Sequence, residues 1–179
     1  MAGAWRWGRG VCADVGLERL RESFCRVMHY PAGMETEGKL VDRRILVVDD
    51  DADIRESFET ALQAEGALTM GAGDGNEAIR IVSEDPPELV VLDMMLPKRS
   101  GFLVLEKIKG YDESPAVIMV TANEGKRHEA YAQSLGVDEY LQKPVPLSKL
   151  IETVVRLLAK RDELLGEEID EPEKEEGGA

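Results

Sequence analysis

Residues 88–97 read ELVVLDMMLP, and this stretch decides the fold. Its apolar run, residues 89–92, is uninterrupted and is bounded by prolines on both sides. A short continuous run of this kind predicts a strand that is buried on both faces, as in a parallel sheet covered by helices. Asp93 follows the run directly. We therefore expect Asp93 at the carboxyl end of the strand, where open α/β sheets bind their ligands.

A second run of the same form lies upstream. Residues 44–48 read RILVV and lead straight into Asp49, Asp50 and Asp51. If this strand lies parallel to the one before Asp93, the carboxylates gather at one edge of the sheet and repel each other unless a cation lies among them. Mg²⁺ prefers oxygen ligands and fits a small acidic site, so the sequence predicts a Mg²⁺ pocket at this edge.

The rest of the chain alternates between strand and helix patterns. We predict strands at 44–49, 68–72, 89–93, 116–120 and 139–142, and helices at 53–65, after a cap at Asn76, at 101–109, at 125–135 and at 147–165. The fold class is therefore α/β, a doubly wound five-stranded parallel sheet in the order 2-1-3-4-5. In that order five polar side chains meet at one edge: Asp49, Asp50, Asp93, Thr121 and Lys143.

Composition narrows the class of protein. The chain has 179 residues and a formal net charge of -14, which argues against direct nucleic-acid binding. It has two cysteines and no obvious secretory signal, so we expect no disulfide framework and a cytoplasmic location. No apolar run reaches the ~20 residues that cross a bilayer, so we expect no membrane insertion.

The two ends of the sequence are expected to differ from the folded central domain. We predict a poorly ordered N-terminal leader over residues 1–42, with Met34 as an alternative natural start. A folded domain then covers 43–161, and an acidic tail covers 162–179. The tail holds nine acidic residues and one lysine. It is either a solvated end or a docking segment for a basic partner.

Four motifs together resemble those of the receiver domain of bacterial response regulators. They are ILVVDDD at 45–51, LDMMLP at 92–97, VTA at 120–122 and YLQKP at 140–144. The resemblance covers roughly residues 43–161 and implies the flavodoxin-like receiver fold of stand-alone, chemotaxis-regulator-like members. Residues 162–179 are too few and too acidic for a DNA-binding output module, so we expect a single-domain response regulator.

The resemblance also implies roles for individual residues. Asp93 is expected to accept a phosphoryl group, and Asp49 and Asp50 to hold Mg²⁺ together with Asp93 and the backbone carbonyl of Met95. Thr121 and Lys143 are expected to bind phosphoryl oxygens. Tyr140 is expected to act with Thr121 as the conformational switch. The Lys143–Pro144 peptide is expected to be cis.

The family further implies partners and a reaction. The phosphoryl donor would be a sensor histidine kinase or a phosphotransfer protein, and the signal would pass to a downstream protein effector in a two-component phosphorelay. Because the domain would catalyse only its own modification, we do not expect an enzyme in the usual sense.

Two other classes compete with this interpretation. A Mg²⁺-dependent phosphatase of the haloacid-dehalogenase kind carries Asp-x-Asp after its first strand, and Asp49-x-Asp51 fits that pattern formally. It leaves Asp93 and Lys143 unexplained. A phosphorylation-independent interaction module is the other alternative, and the intact set of polar residues argues against it.

Overall fold

The computed structural model describes residues 38–111, 113–122 and 125–167. The predicted leader up to residue 37, the alternative start at Met34, both cysteines and the tail from residue 168 onward lie outside these residues.

Five parallel strands form one sheet in the order β2-β1-β3-β4-β5, as predicted. The strands are β1 (Arg44–Val48), β2 (Leu68–Ala72), β3 (Leu89–Asp93), β4 (Ala116–Thr121) and β5 (Glu139–Gln142). Five helices connect and follow them: α1 (Ala52–Ala64), α2 (Gly75–Glu84), α3 (Gly101–Lys109), α4 (Lys126–Ser134) and α5 (Leu147–Glu167).

The sheet has a packed layer on each face, which explains the continuous apolar runs. Alternate residues of β1 point to opposite sides: Ile45 and Val47 pack in a cluster with α1 and α5, whereas Leu46 and Val48 pack in a cluster with α2, α3 and α4. Every residue of β3 is buried. A strand with helices on both faces has no polar side, so its sequence shows no alternation.

The register of the strands places their carboxyl ends at one edge. Val48 pairs with Leu92 across β1 and β3, and Asp93 pairs with Val120 across β3 and β4. Thr121 pairs with Gln142 across β4 and β5. The residues that follow these pairs therefore lie side by side, as the predicted order requires.

The predicted cap of the second helix was wrong. Asp74, not Asn76, is the N-cap of α2, and its side chain accepts hydrogen bonds from the backbone N–H groups of Asn76 and Glu77. Both residue types are good caps. Gly75 is already helical, so the helix begins two residues earlier than predicted and Asn76 lies in its first turn.

Other helix boundaries differ by smaller amounts. Helix α1 begins at Ala52 because Asp51 caps it through the N–H groups of Asp53 and Ile54. It ends before Gly66, whose φ of 91° is the left-handed conformation that glycine adopts at helix ends. Helix α5 continues to Glu167, two residues beyond the predicted end at 165, so the helix includes residues 162–167 of the predicted tail.

Candidate functional site

Asp93 ends β3 and lies at the carboxyl edge of the sheet. The residue is 4% exposed, and its Oδ2 atom accepts a hydrogen bond from the backbone N–H of Met95 at 2.5 Å. Helix α3 begins close behind it. A Cβ atom on Gly101 would lie 2.3 Å from the Asp93 carbonyl oxygen, so only glycine allows this close approach.

Lys143 bridges the two strands that carry the buried acids. Its Nζ atom lies 2.6 Å from Oδ2 of Asp49 and 2.9 Å from Oδ1 of Asp93. Its backbone N–H donates to the carbonyl oxygen of Thr121 at 2.8 Å, which ties the end of β5 to the end of β4. The Lys143–Pro144 peptide is cis, as expected.

The two carboxylates keep this ammonium charged. Burial alone would lower the pKa of Lys143, but hydrogen bonds to Asp49 and Asp93 and their negative charges outweigh that effect. The pKa of Lys143 is therefore raised.

Asp49, Asp50 and Asp51, which we call the acidic turn, have three different environments. Asp49 is 2% exposed, and its Oδ1 atom accepts a hydrogen bond from the N–H of Asp51 at 3.0 Å. Asp51 caps α1. Asp50 is exposed. Asp51 is exposed as well, but its side chain is engaged in the cap, so Asp50 is the exposed acid of the turn without a capping role.

The two predicted switch residues lie on β4 and β5. Thr121 is fully buried at the end of β4. Tyr140 is half-buried, pairs with Met119 across the sheet and packs against the α2–α4 side of the core. Burial raises the pKa of Tyr140, and the charge of Glu129 raises it further.

The matching family model is that of the response regulator receiver domain, and it covers residues 45–155. The chain belongs to this family. The resemblance predicted from the four motifs is thus confirmed, and the chain carries a receiver domain of two-component signalling.

Individual relatives agree with this assignment. The chain is 34% identical over 117 residues to response regulator MprA from Mycolicibacterium vanbaalenii, a match that covers 65% of this chain and 51% of that protein. The response regulator MprA of Mycobacterium tuberculosis gives the same identity and coverage. The chain thus spans about half the length of these curated relatives.

Solved receiver structures share the fold. A CheY-like receiver domain protein from Methanospirillum hungatei has a TM-score of 0.66 at 29% identity and covers 68% of this chain and 98% of its own. A receiver domain protein from Clostridium thermocellum has a TM-score of 0.63 at 31% identity and covers 69% of this chain and 98% of its own.

The donor set of the receiver domain fits a hard divalent cation. Asp49 and Asp93 present carboxylate oxygens, the ligands that Mg²⁺ prefers, and the exposed Asp50 adds a third nearby in sequence. Within residues 38–111, 113–122 and 125–167, no three acidic, His or Cys side chains already surround one point. Lys143 instead contacts both buried acids.

The sequence did not indicate how the receiver domain holds its two buried acids. Asp49 and Asp93 each accept a backbone N–H from the residue two positions later. This short-range pattern is typical of Asp before a turn, so an Asp that ends an apolar run is a usable signal. The sequence also gave no role to Lys98 and Arg99, which contact Asp74 and Asn76 on α2.

None of the described helices in this receiver domain is both long enough and apolar enough to cross a membrane.

Proposed function

We propose that this receiver domain accepts one phosphoryl group on Asp93 and passes the signal to a protein partner through a change in conformation. The observation that carries the proposal is the contact of Lys143 with both Asp49 and Asp93 at 2.6 and 2.9 Å. A half-buried lysine between two buried strand-end carboxylates is the charge arrangement that phosphoryl transfer to a carboxylate needs.

In the proposed reaction a carboxylate oxygen of Asp93 attacks phosphorus. The bond from phosphorus to the donor atom breaks, and the donor atom keeps the bonding electrons. The donor is the imidazole nitrogen of a phosphohistidine, which takes a proton from solvent, or acetyl phosphate, which leaves as acetate. Lys143 moves from the carboxylates to a phosphoryl oxygen and offsets the added charge.

The Mg²⁺ ligands in this proposal are Asp49, Asp50, Asp93 and the backbone carbonyl of Met95. When bound, the ion neutralises part of the charge on the phosphoryl oxygens. The burial of Asp49 and Asp93 supports these assignments, because both carboxylates are held in place before a ligand arrives.

Thr121 and Tyr140 are the proposed switch. The Thr121 hydroxyl donates a hydrogen bond to a phosphoryl oxygen, and the Tyr140 ring moves into the space that Thr121 leaves. Because Tyr140 lies on β5 between α4 and α5, this movement changes the surface formed by α4, β5 and α5, which we call the output face. The full burial of Thr121 supports the proposal, since its movement leaves a space that a ring can fill.

Receiver domains of response regulators interact with histidine kinases and with downstream effectors. For this chain we propose a sensor histidine kinase or a phosphotransfer protein as donor, in the cytoplasm, and a protein effector that binds the output face. We further propose that this receiver domain does not contact nucleic acid directly and that it turns over no external substrate.

The test is a mass measurement on the intact chain after incubation with acetyl phosphate and Mg²⁺. We expect a gain of one phosphoryl group, lost in Asp93→Asn and retained in Asp51→Asn. In the wild type, beryllofluoride added with Mg²⁺ should bind at Asp93 and perturb the proposed site residues around it. A gain that persists in Asp93→Asn would overturn the assignment.

The phosphatase alternative is less well supported. It requires Asp51 to act on a substrate, whereas the Asp51 side chain accepts hydrogen bonds from Asp53 at 2.9 Å and Ile54 at 3.2 Å at the start of α1. Turnover of a small phosphoester would favour that alternative. A wild type that takes up neither phosphate nor beryllofluoride would favour the interaction module.

A further inference from the structure

Asp50 is the one proposed Mg²⁺ ligand whose side chain nothing holds. Among the described residues it makes no side-chain hydrogen bond or ion pair, and it is exposed, whereas Asp49 and Asp93 are both bridged by Lys143. The direction of the Asp50 side chain therefore depends on its backbone. A group that holds the peptide between Asp49 and Asp50 therefore sets the position from which the Asp50 carboxylate reaches, and χ1 and χ2 of Asp50 then choose among a few rotamers.

Arg55 makes the contact that fixes this peptide. From the first turn of α1, its Nη1 atom donates a hydrogen bond to the carbonyl oxygen of Asp49 at 2.7 Å. That carbonyl and the N–H of Asp50 belong to the same planar unit. The guanidinium thus sets the orientation of the peptide plane from which Asp50 projects.

Gly71 leaves room for the Arg55 side chain to reach this carbonyl. A Cβ atom on Gly71 would lie 2.3 Å from Oε1 of Glu59 and 3.3 Å from Cδ of Arg55, so both side chains use the space above it. A Cβ atom on Gly73 would be in ordinary contact with Nη1 of Arg55, at 3.8 Å. The side chain therefore lies across the end of β2, on the side of β1 away from Lys143.

The two cations consequently flank the acidic turn from opposite sides. Lys143 contacts the carboxylates of Asp49 and Asp93, and Arg55 contacts the backbone carbonyl between Asp49 and Asp50. Groups that orient metal ligands from outside the ligand set commonly affect metal affinity by about 10- to 100-fold. Arg55 has the geometry of such a group.

We propose that Arg55 is a positioning residue for the Mg²⁺ site: by holding the Asp49 carbonyl, it places the Asp50 backbone where the Asp50 carboxylate can rotate to join Asp49 and Asp93 around the ion. The inference rests on the proposed function, because it assumes that Asp50 is a metal ligand. A purely structural Arg55 would affect the stability of α1 and β2 and leave the metal affinity of the folded protein unchanged.

The experiment compares wild type, Arg55→Met, Arg55→Lys and Arg80→Met as full chains. Arg80 is an exposed arginine on α2 that pairs with Glu84, so its replacement changes the net charge equally without touching the site. The readouts are the Mg²⁺ dissociation constant by calorimetry, the backbone amide resonance of Asp50 without metal, and the rate of phosphorylation by acetyl phosphate at saturating Mg²⁺.

In Arg55→Met we expect Mg²⁺ binding to weaken about tenfold and the Asp50 amide resonance to move before any metal is added. In Arg55→Lys, whose ammonium can donate to the same carbonyl from a more flexible chain, we expect a loss of about threefold. At saturating Mg²⁺ the phosphorylation rate should recover. The loss should persist at high salt, where a long-range charge effect is screened.

The outcomes separate the two claims. If the wild type binds no Mg²⁺ and takes up no phosphoryl group, the proposed function fails. If the wild type does both and the Arg55 variants match Arg80→Met in affinity and in the Asp50 resonance, the role of Arg55 is overturned. Should Arg55→Met not fold, Arg55→Lys decides the question by the same two readouts.

Discussion

Lys143 is the residue on which the charge balance of the site depends. Its ammonium contacts two carboxylates that are almost inaccessible to solvent. Removing one partner of a buried ion pair leaves an uncompensated charge, which costs more than the pair itself contributes. Here one cation serves two anions, so its removal brings two buried negative charges together.

We predict that Lys143→Met lowers the free energy of unfolding by about 3 kcal/mol without divalent ions. Mg²⁺ should restore more stability in the variant than in the wild type, because the metal then supplies the missing positive charge. Chemical denaturation with and without Mg²⁺ measures both effects. Equal Mg²⁺ stabilisation in the two proteins would contradict the prediction.

The raised pKa of Lys143 fixes the pH range of this contribution. A lysine whose pKa is raised on folding stabilises the folded state fully below its unfolded pKa, 10.5, and loses that contribution as the pH rises through the folded value. We expect the difference in stability between wild type and Lys143→Met to stay constant from about pH 7 to about pH 9 and to shrink only above the unfolded value. A difference that already falls below pH 9 would count against the ion pairs.

At the same scale, the sequence predicted which residues meet but not what each one does. Asp49, Asp50 and Asp51 have chemically identical side chains. The path of the backbone through the acidic turn determines that Asp49 contacts Lys143, that Asp50 is exposed and that Asp51 caps α1. The contact of Arg55 with the Asp49 carbonyl could not be predicted for a related reason. It depends on the room that Gly71 leaves on another strand.

Among the elements, α1 shows how one side chain determines where a helix begins. Asp51 satisfies two backbone N–H groups in the first turn of α1. Capping residues of this kind contribute about 1 kcal/mol to stability. The neighbouring Asp50 has no such role.

Asp51→Ala should therefore affect stability, and Asp50→Ala should affect Mg²⁺ binding. We expect Asp51→Ala to lower the free energy of unfolding by about 1 kcal/mol and to leave Mg²⁺ binding largely intact. Asp50→Ala should leave metal-free stability unchanged and weaken Mg²⁺ binding. Thermal unfolding and calorimetry on both variants test this, and a stability loss in Asp50→Ala equal to that in Asp51→Ala would refute it.

Strands were predicted more accurately than helix starts. The sequence placed β2, β3 and β5 to the residue. The apolar run of β3 has sharp limits between two prolines, and β2 and β5 are bounded by Gly73 and by Lys143–Pro144. The start of α2 was misplaced because Asp74 and Asn76 are both good caps two residues apart, and Gly75 between them gives no preference. Local sequence could not decide which of them accepts the N–H groups.

For the whole molecule, one predicted consequence links the site to the output face. Thr121→Ala removes the hydroxyl but keeps Asp93, Lys143 and the acidic turn. We expect the variant to gain a phosphoryl group on Asp93 and to change little at the output face, because no hydroxyl is drawn toward the phosphoryl group and the space beside Tyr140 is then the same before and after modification. Amide resonances of α4, β5 and α5, recorded with beryllofluoride and Mg²⁺, measure the change. A full response in the variant would break the proposed link.

The far end of the molecule is held by a different ion-pair cluster. Arg43, just before β1, bonds to Asp162 on α5 and to Glu88, just before β3. The pKa of Arg43 is raised, chiefly by its hydrogen bond to Asp162. Burial acts in the opposite direction, and the hydrogen bond to Glu88 and the negative charge of Glu88 raise the pKa further. Asp162 therefore belongs to the folded domain, although the sequence assigned it to the acidic tail.

A chain that stops at Arg161 should be less stable than one that stops at Glu167 by about 1 kcal/mol, because it lacks one of the two carboxylates that pair with Arg43. Asp162→Asn in the full chain should reproduce most of the loss relative to the full-length wild type, and Glu163→Gln, on the exposed neighbour, should not. Denaturation midpoints of these five proteins test the prediction. Equal midpoints would show that the pair contributes nothing.

The contact between Arg43 and Asp162 also means that the first strand starts beside the place where the last helix finishes. A short linker could join these two points, so the domain is suited to circular permutation, with new termini opened in an exposed loop at the opposite edge. The same closeness would let it be inserted into a surface loop of a host protein with little distortion. Phosphorylation could then be reported through the host.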